Sequence, residues 1–157
     1  MKKPTRRIAV LVAGLLVGVL ADAVAARAEG GVQGEGELRL RSLEVRIHNG
    51  TGCRLTRTGY GLIWGEFVTA PTAIIRKGQD GGFKAQSREA SFSGVEGFVR
   101  YTSSNCDESW RNQHTATLRF NVPVEGTNTY TPDGSGALHS EVSGGSGTHA
   151  VVKWGLS

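Results

Sequence analysis

The chain has 157 residues, with 18 Lys and Arg against 14 Asp and Glu, a formal net charge of +4, 23 glycines and four prolines. Five of those basic residues and one acid fall within residues 1–28, so the remaining 129 residues carry 13 charges of each sign. A basic excess confined to the first residues leaves no clustered Lys/Arg surface for polyphosphate, which excludes nucleic acid as an expected partner, and 129 residues predict one domain with room for a two-layer core.

The first segment reads as an address. Lys2, Lys3, Arg6 and Arg7 precede an apolar run, IAVLVAGLLVGVL at 8–20, and the small-residue site Ala26-Arg27-Ala28 follows. This is the pattern of a secretory signal peptide. The apolar run is thirteen residues long, whereas a lone membrane-spanning helix needs about 20. Residues 1–28 are therefore expected to be a cleaved signal peptide of a secreted protein. Ala25 is the alternative cut, and a retained anchor is the alternative fate. Arg6-Arg7 is followed by Ile8 without the rest of a twin-arginine pattern. Residues 29–37, EGGVQGEGE, read as a flexible leader, and 38–157 as the folded domain.

Within the domain the apolar period is two. In 43–49, LEVRIHN, Leu43, Val45 and Ile47 alternate with Glu44, Arg46 and His48, which predicts a half-buried strand. Asn49-Gly50 then signals a tight turn. Residues 54–67 read as one or two strands broken at Gly59 and Gly61. Segments 72–78 and 82–87 follow as strands, then 94–102, entered through Gly94. In 115–122, Leu118, Phe120 and Val122 alternate with Thr117, Arg119 and Asn121, and Pro123 ends the strand or marks an edge. EGTNTYT gives a turn and a return strand. Strands at 137–143 and 149–156 are separated by the loop GGSG, 144–147. No window past the signal has helical periodicity, and no internal repeat is present. Short strands at 8–12-residue spacing predict an all-β sandwich.

Residues that carry chemistry are dispersed. His48, His114, His139 and His149 form no metal motif and read as water-facing strand or loop residues. Asp107-Glu108 is the closest acidic pair, but a hydrolase needs two carboxylates converging from the fold. No nucleophile elbow or phosphate loop is present. The expectation is a protein that is not an enzyme, with no metal and no cofactor. Cys53 and Cys106 most simply form one disulfide in an exported chain, since their spacing fits no metal site. Asn49-Gly50-Thr51 fits a glycosylation sequon and, more simply, a turn. Arg39, Arg41, Arg46, Arg54 and Arg57 are scattered among strand residues and read as solvated. Trp64 and Trp154 read as core or sheet-edge residues. Trp110 sits among Asp107, Glu108, Arg111 and Asn112, which makes it either a contact surface or a lid folded back over the disulfide.

Three segments, taken in order, resemble the aegerolysins. VRIHNGTGCRLTRTGYGLIWGEF resembles the first third of that family through Val45, Ile47, Asn49, Leu55, Trp64 and Gly65. KAQSREASFSGVEGFVRY is similar to its Arg segment leading to a G-x-x-G strand, here Arg88, Gly94 and Gly97. RFNVPVEGTNTYT resembles its N-P-x-x-G-x-N-x-Y segment through Pro123, Gly126, Asn128 and Tyr130. The matches cover roughly residues 43–131. Where the family carries Tyr-Trp-Asp ahead of the Pro, this chain has Arg119-Phe120-Asn121-Val122.

The resemblance implies an actinoporin-like β-sandwich that binds membrane lipids, typically sphingolipids and often with sterol. It implies permeabilisation or haemolysis, commonly with a larger pore-forming partner, and no cofactor. On this reading lipid contact falls on Trp64, Arg88, Trp110 and Tyr130, with Arg88 pairing a lipid phosphate, although the Cys53–Cys106 bridge and the polar loop around Trp110 are local additions to the family pattern. A net-neutral domain is not drawn to anionic lipid by charge, so contact would rest on interfacial aromatics. The competing reading is a carbohydrate- or protein-binding sandwich that uses the same exposed aromatics.

Overall fold

The computed structural model describes residues 40–88 and 92–157. The expected signal peptide and the 29–37 leader lie outside the described residues, as do Arg39 and residues 89–91.

Alternation sets the layers. The strands are β1 (Ser42–Asn49), β2 (Arg54–Trp64), β3 (Glu66–Thr69), β4 (Ile74–Ile75), β5 (Asp80–Gln86), β6 (Val95–Ser104), β7 (Thr115–Val122), β8 (Thr129–Gly134), β9 (Ser140–Gly144) and β10 (His149–Leu156). They form two five-stranded sheets, ordered β3-β5-β1-β10-β9 and β4-β2-β6-β7-β8. Leu43, Val45 and Ile47 of β1 and Ala150, Val152, Trp154 and Leu156 of β10 face the interior from the first sheet. Val95, Val99 and Tyr101 of β6 and Ala116, Leu118, Phe120 and Val122 of β7 meet them from the second. The result is the expected sandwich. The rings of Tyr60, Phe67, Phe83 and Phe120 run through it as a chain, with successive centroids 5.5, 5.9 and 5.4 Å apart. Trp154 is fully buried, with its Nε1 donating to Ser140 Oγ at 2.7 Å.

The first and last strands, β1 and β10, pair in parallel at the centre of the first sheet, placing Ile47 beside Trp154. All other strand pairs are antiparallel.

Three strand expectations are corrected. β2 runs unbroken through Gly59 and Gly61, because the Phe98 ring on β6 lies against both glycines, 3.4 Å from where each Cβ would be. The break falls at Gly65, whose φ of +92 turns the chain into the other sheet; a Cβ there would lie 2.6 Å from the Gln86 carbonyl oxygen. The 72–78 strand shrinks to the two residues of β4, and the 137–143 strand begins only at Ser140.

The Asn49-Gly50 turn is not a two-residue hairpin, since β1 and β2 belong to different sheets. Asn49 is fully buried. Its Nδ2 donates to the carbonyls of Cys53, Ile75 and Arg76 at 2.9, 3.1 and 3.0 Å. Its Oδ1 accepts from the Thr51 N–H and hydroxyl. The sequon reading has no exposed acceptor nitrogen in this fold. Arg41 and Arg57 are also less solvated than expected. Both are partly buried and donate to backbone carbonyls, those of Val124 and Pro71.

Candidate functional site

The two ends of the sandwich differ in chemistry. At one end β2 finishes next to β6, with Trp64 in register with Glu96. β4 pairs only with Leu55 and Thr56, so among the described residues no strand lies beside the rest of that edge of β2. Tyr60 sits on this open edge with the Arg57 guanidinium 4.1 Å above its ring. Beyond it, Ile63 is 67% exposed and Trp64 55%, and across from Trp64 stands Phe92, 83% exposed. Trp64 and Phe92 are the apolar walls of a groove of about 560 Å³, floored by Gly94, Glu96, Asn121 and Pro123. Arg88 is exposed where the chain leaves β5, close to β3, whose Glu66 carboxylate accepts from Gln86 Nε2 at 2.8 Å. Large apolar side chains grouped at a rim of opposite charges are the features of a contact surface.

The β7–β8 and β9–β10 connections lie at the same end. Asn128 Nδ2 donates to the carbonyls of Gly145 and Gly147 at 2.7 and 2.9 Å, and the Tyr130 hydroxyl donates to the Gly145 carbonyl at 2.8 Å. Gly145 has φ +89, and a Cβ there would collide with the Tyr130 ring. Burial raises the Tyr130 pKa above its ordinary value, and its hydrogen bond with Asn128 opposes that shift. Tyr130 thus packs inward and clamps a glycine loop.

The opposite end holds the disulfide between Cys53 and Cys106. It ties the β1–β2 turn to the long β6–β7 connection, where Ser109–Arg111 form a single 3-10 turn. Trp110 is 60% exposed there and does not fold over the disulfide. The Arg111 guanidinium lies 5.3 Å from the Trp110 ring and donates to the Thr51 carbonyl at 3.0 Å. Asp107 pairs with Lys77, and Glu108 with Arg111 at 3.3 Å, so this acidic pair faces two different cations and does not converge on a shared site.

Of the residues expected to touch lipid, Trp64 and Arg88 lie at one end, Tyr130 faces inward at that end, and Trp110 lies at the other. Phe92 and Ile63 were missed. Phe92 had a signal, a lone aromatic in the polar run SREASFSG, the same signature that singled out Trp110. The histidines stay separate: His48 Nδ1 lies 2.7 Å from Asp80, His149 Nδ1 2.9 Å from Ser42 Oγ, and His114 Nε2 3.0 Å from the Trp110 carbonyl. No cluster of three or more metal-ligating side chains occurs among the described residues. No helix among them is long and apolar enough to cross a membrane.

Two stacked five-stranded sheets with this connectivity define an aegerolysin-like fold. The solved structures that share it include the lipid-binding protein Nakanori, at TM-score 0.66 and 15% identity, covering 74% of this chain and 71% of that one. They also include RahU in complex with a TRIS molecule, at TM-score 0.59 and 16% identity, covering 74% of this chain and 94% of RahU. A third is IP-1A from Alcaligenes faecalis, at TM-score 0.56 and 16% identity, covering 74% and 89%. The sequence matches no family model and no curated protein.

Proposed function

We propose that the chain is a secreted lipid-binding protein that meets a membrane with the end carrying Ile63, Trp64 and Phe92. The observation that carries this reading is the groove lined by Trp64 and Phe92, with Ile63 next to Trp64 at the end of β2, each of the three more than half exposed. Leaving such area in water is unfavourable, and an interfacial aromatic removes it while keeping a polar rim wet. The likeness to Nakanori, itself described as lipid-binding, supports the same reading, and the disulfide accords with export. On this reading the preferred lipid is a sphingolipid, with sterol assisting. Any haemolysis proceeds with a larger pore-forming partner, and the protein acts by adsorption, with no catalytic step and no cofactor.

The test is co-sedimentation of residues 29–157, which contain the whole buried core from Leu43 to Leu156, with liposomes of varied headgroup, with and without sphingolipid and sterol. Selective pelleting with sphingolipid supports the full reading. Pelleting with every lipid keeps membrane binding and removes the sphingolipid preference. No pelleting with any composition refutes the membrane function and leaves glycan binding as the alternative to test.

A further inference from the structure

Arg41, just before β1, carries a charge that no carboxylate among the described residues compensates. Its backbone is fixed by Ser87: the Arg41 N–H donates to Ser87 Oγ at 2.9 Å, and its carbonyl accepts from the Ser87 N–H at 2.8 Å. Its Nη2 donates to the Val124 carbonyl. Its Nε is shut off from solvent and has no hydrogen-bond partner. No carboxylate among the described residues lies within ion-pair distance of it. A partly buried guanidinium with no carboxylate beside it is a costly arrangement, and an anion at the part of the side chain that faces the groove would relieve it.

What faces it is suited to an anion. The side chain lines a groove of about 360 Å³ between the β7–β8 and β9–β10 connections. One wall is the Gly144–Gly147 loop, which carries no side chain except that of Ser146. The carbonyls of Gly145 and Gly147, which would repel an anion, are held by Asn128 and Tyr130. The other polar side chains among the lining residues are those of Arg41, Thr127 and Ser146, all able to donate. Guanidinium with hydroxyl donors matches a tetrahedral oxyanion.

We propose that this groove binds a phosphate group, with Arg41 as its principal ligand. Assigning that phosphate to a lipid headgroup rests on the membrane reading above; the anion site itself does not. The groove and the Trp64–Phe92 rim lie at the same end of the sandwich, so one lipid layer can present its phosphates to the groove while the aromatics of the rim enter the layer.

The test compares residues 29–157 with Arg41→Gln and Ser146→Glu. The first removes the charge. The second puts a carboxylate into the groove from an exposed position and leaves every bond of Arg41 to Ser87 and Val124 intact, so it guards against a folding defect in the first. Thermal melts are run in inorganic phosphate and in chloride at matched ionic strength. The parent should gain about 2–4 °C in phosphate, and neither variant should gain. Phosphatidylcholine vesicles and phosphate-free glycolipid vesicles form the second arm. A preference for phosphate that falls about tenfold or more in Arg41→Gln identifies the source as a lipid headgroup. A phosphate-dependent melt without a vesicle preference supports the site and assigns it to free phosphate. No shift in the parent, or an equal shift in Ser146→Glu, overturns the anion site. Membrane binding through Trp64 and Phe92 would then stand or fall on its own variants.

Discussion

Trp64 and Trp110 are almost equally exposed, 55% and 60%, yet the structure predicts opposite outcomes when each is replaced by Ala. An indole side chain presents at most about 250 Å², so about 140 Å² of Trp64 remains to be withdrawn from water, worth about 3 kcal/mol at ~25 cal/mol per Å². Insertion to half that depth still leaves about 1.5 kcal/mol. Trp64→Ala should therefore weaken liposome binding by about 10- to 100-fold.

Trp110 has the same area to lose but the wrong address. It follows β6, whose Ser104 pairs with Arg54 at the start of β2, whereas Trp64 ends β2. Ten residue steps at ~3.3 Å put the two about 30 Å apart along the strands, roughly the full hydrocarbon thickness of a bilayer. One flat surface cannot take both, and Trp110→Ala should leave binding unchanged within about twofold. The assay is a liposome titration of each variant, with quenching by brominated lipid chains as a second readout; buried Trp154 is the silent control. If Trp110→Ala binds as poorly as Trp64→Ala, or if Trp110 is the tryptophan that lipid quenches, the orientation is wrong.

Other consequences concern the frame of the sandwich. Asn49→Ala strands three carbonyls and both Thr51 donors; it should cost about 3 kcal/mol or more, lowering the urea midpoint by roughly 1–2 M. Cutting the disulfide with Cys53→Ser and Cys106→Ser together removes a 53-residue closure, and the loss should be about 4 kcal/mol in the chain-entropy account, read from paired denaturant curves. Burial raises the Tyr101 pKa well above its ordinary value, although the nearby Arg57 charge opposes this. Because the folded value exceeds the unfolded one, stability is complete below about pH 10 and declines as the pH climbs toward the raised value. Tyr101→Phe forfeits the 2.7 Å bond to the Thr72 carbonyl, about 1 kcal/mol at pH 7. Parent and variant stabilities should therefore converge above pH 10 in melts run across that range.

Strands with clear alternation were legible in the sequence: 43–49 and 115–122 bury the apolar alternates they were expected to bury, although Thr117, expected on the polar face, is buried as well. What could not be read locally depended on a partner distant in sequence. Gly59 and Gly61 look like strand breakers until Phe98 is laid across them from β6, supplying the packing surface the glycines lack. Asn49 looks like a turn residue until the Ile75 and Arg76 carbonyls converge on its amide. The parallel pairing of β1 with β10 joins segments a hundred residues apart and leaves no mark on either.

The candidate site divides along the same line. Asn128, Tyr130 and Gly65, which carry much of the likeness to the aegerolysins, act on the backbone: two clamp the Gly145 loop and one turns the chain between sheets. Such positions are constrained by their neighbours and report the fold. Ile63 and Phe92, the most exposed large apolar side chains, lie outside those matched positions and are free of that constraint, as is the substitution of Arg119-Phe120-Asn121-Val122 for Tyr-Trp-Asp. In it Phe120 points into the core, while Asn121 floors the Trp64–Phe92 groove where a larger side chain would fill it. The surface that would choose a lipid is therefore built largely from residues the shared architecture does not specify, so a common sandwich is compatible with a different lipid preference.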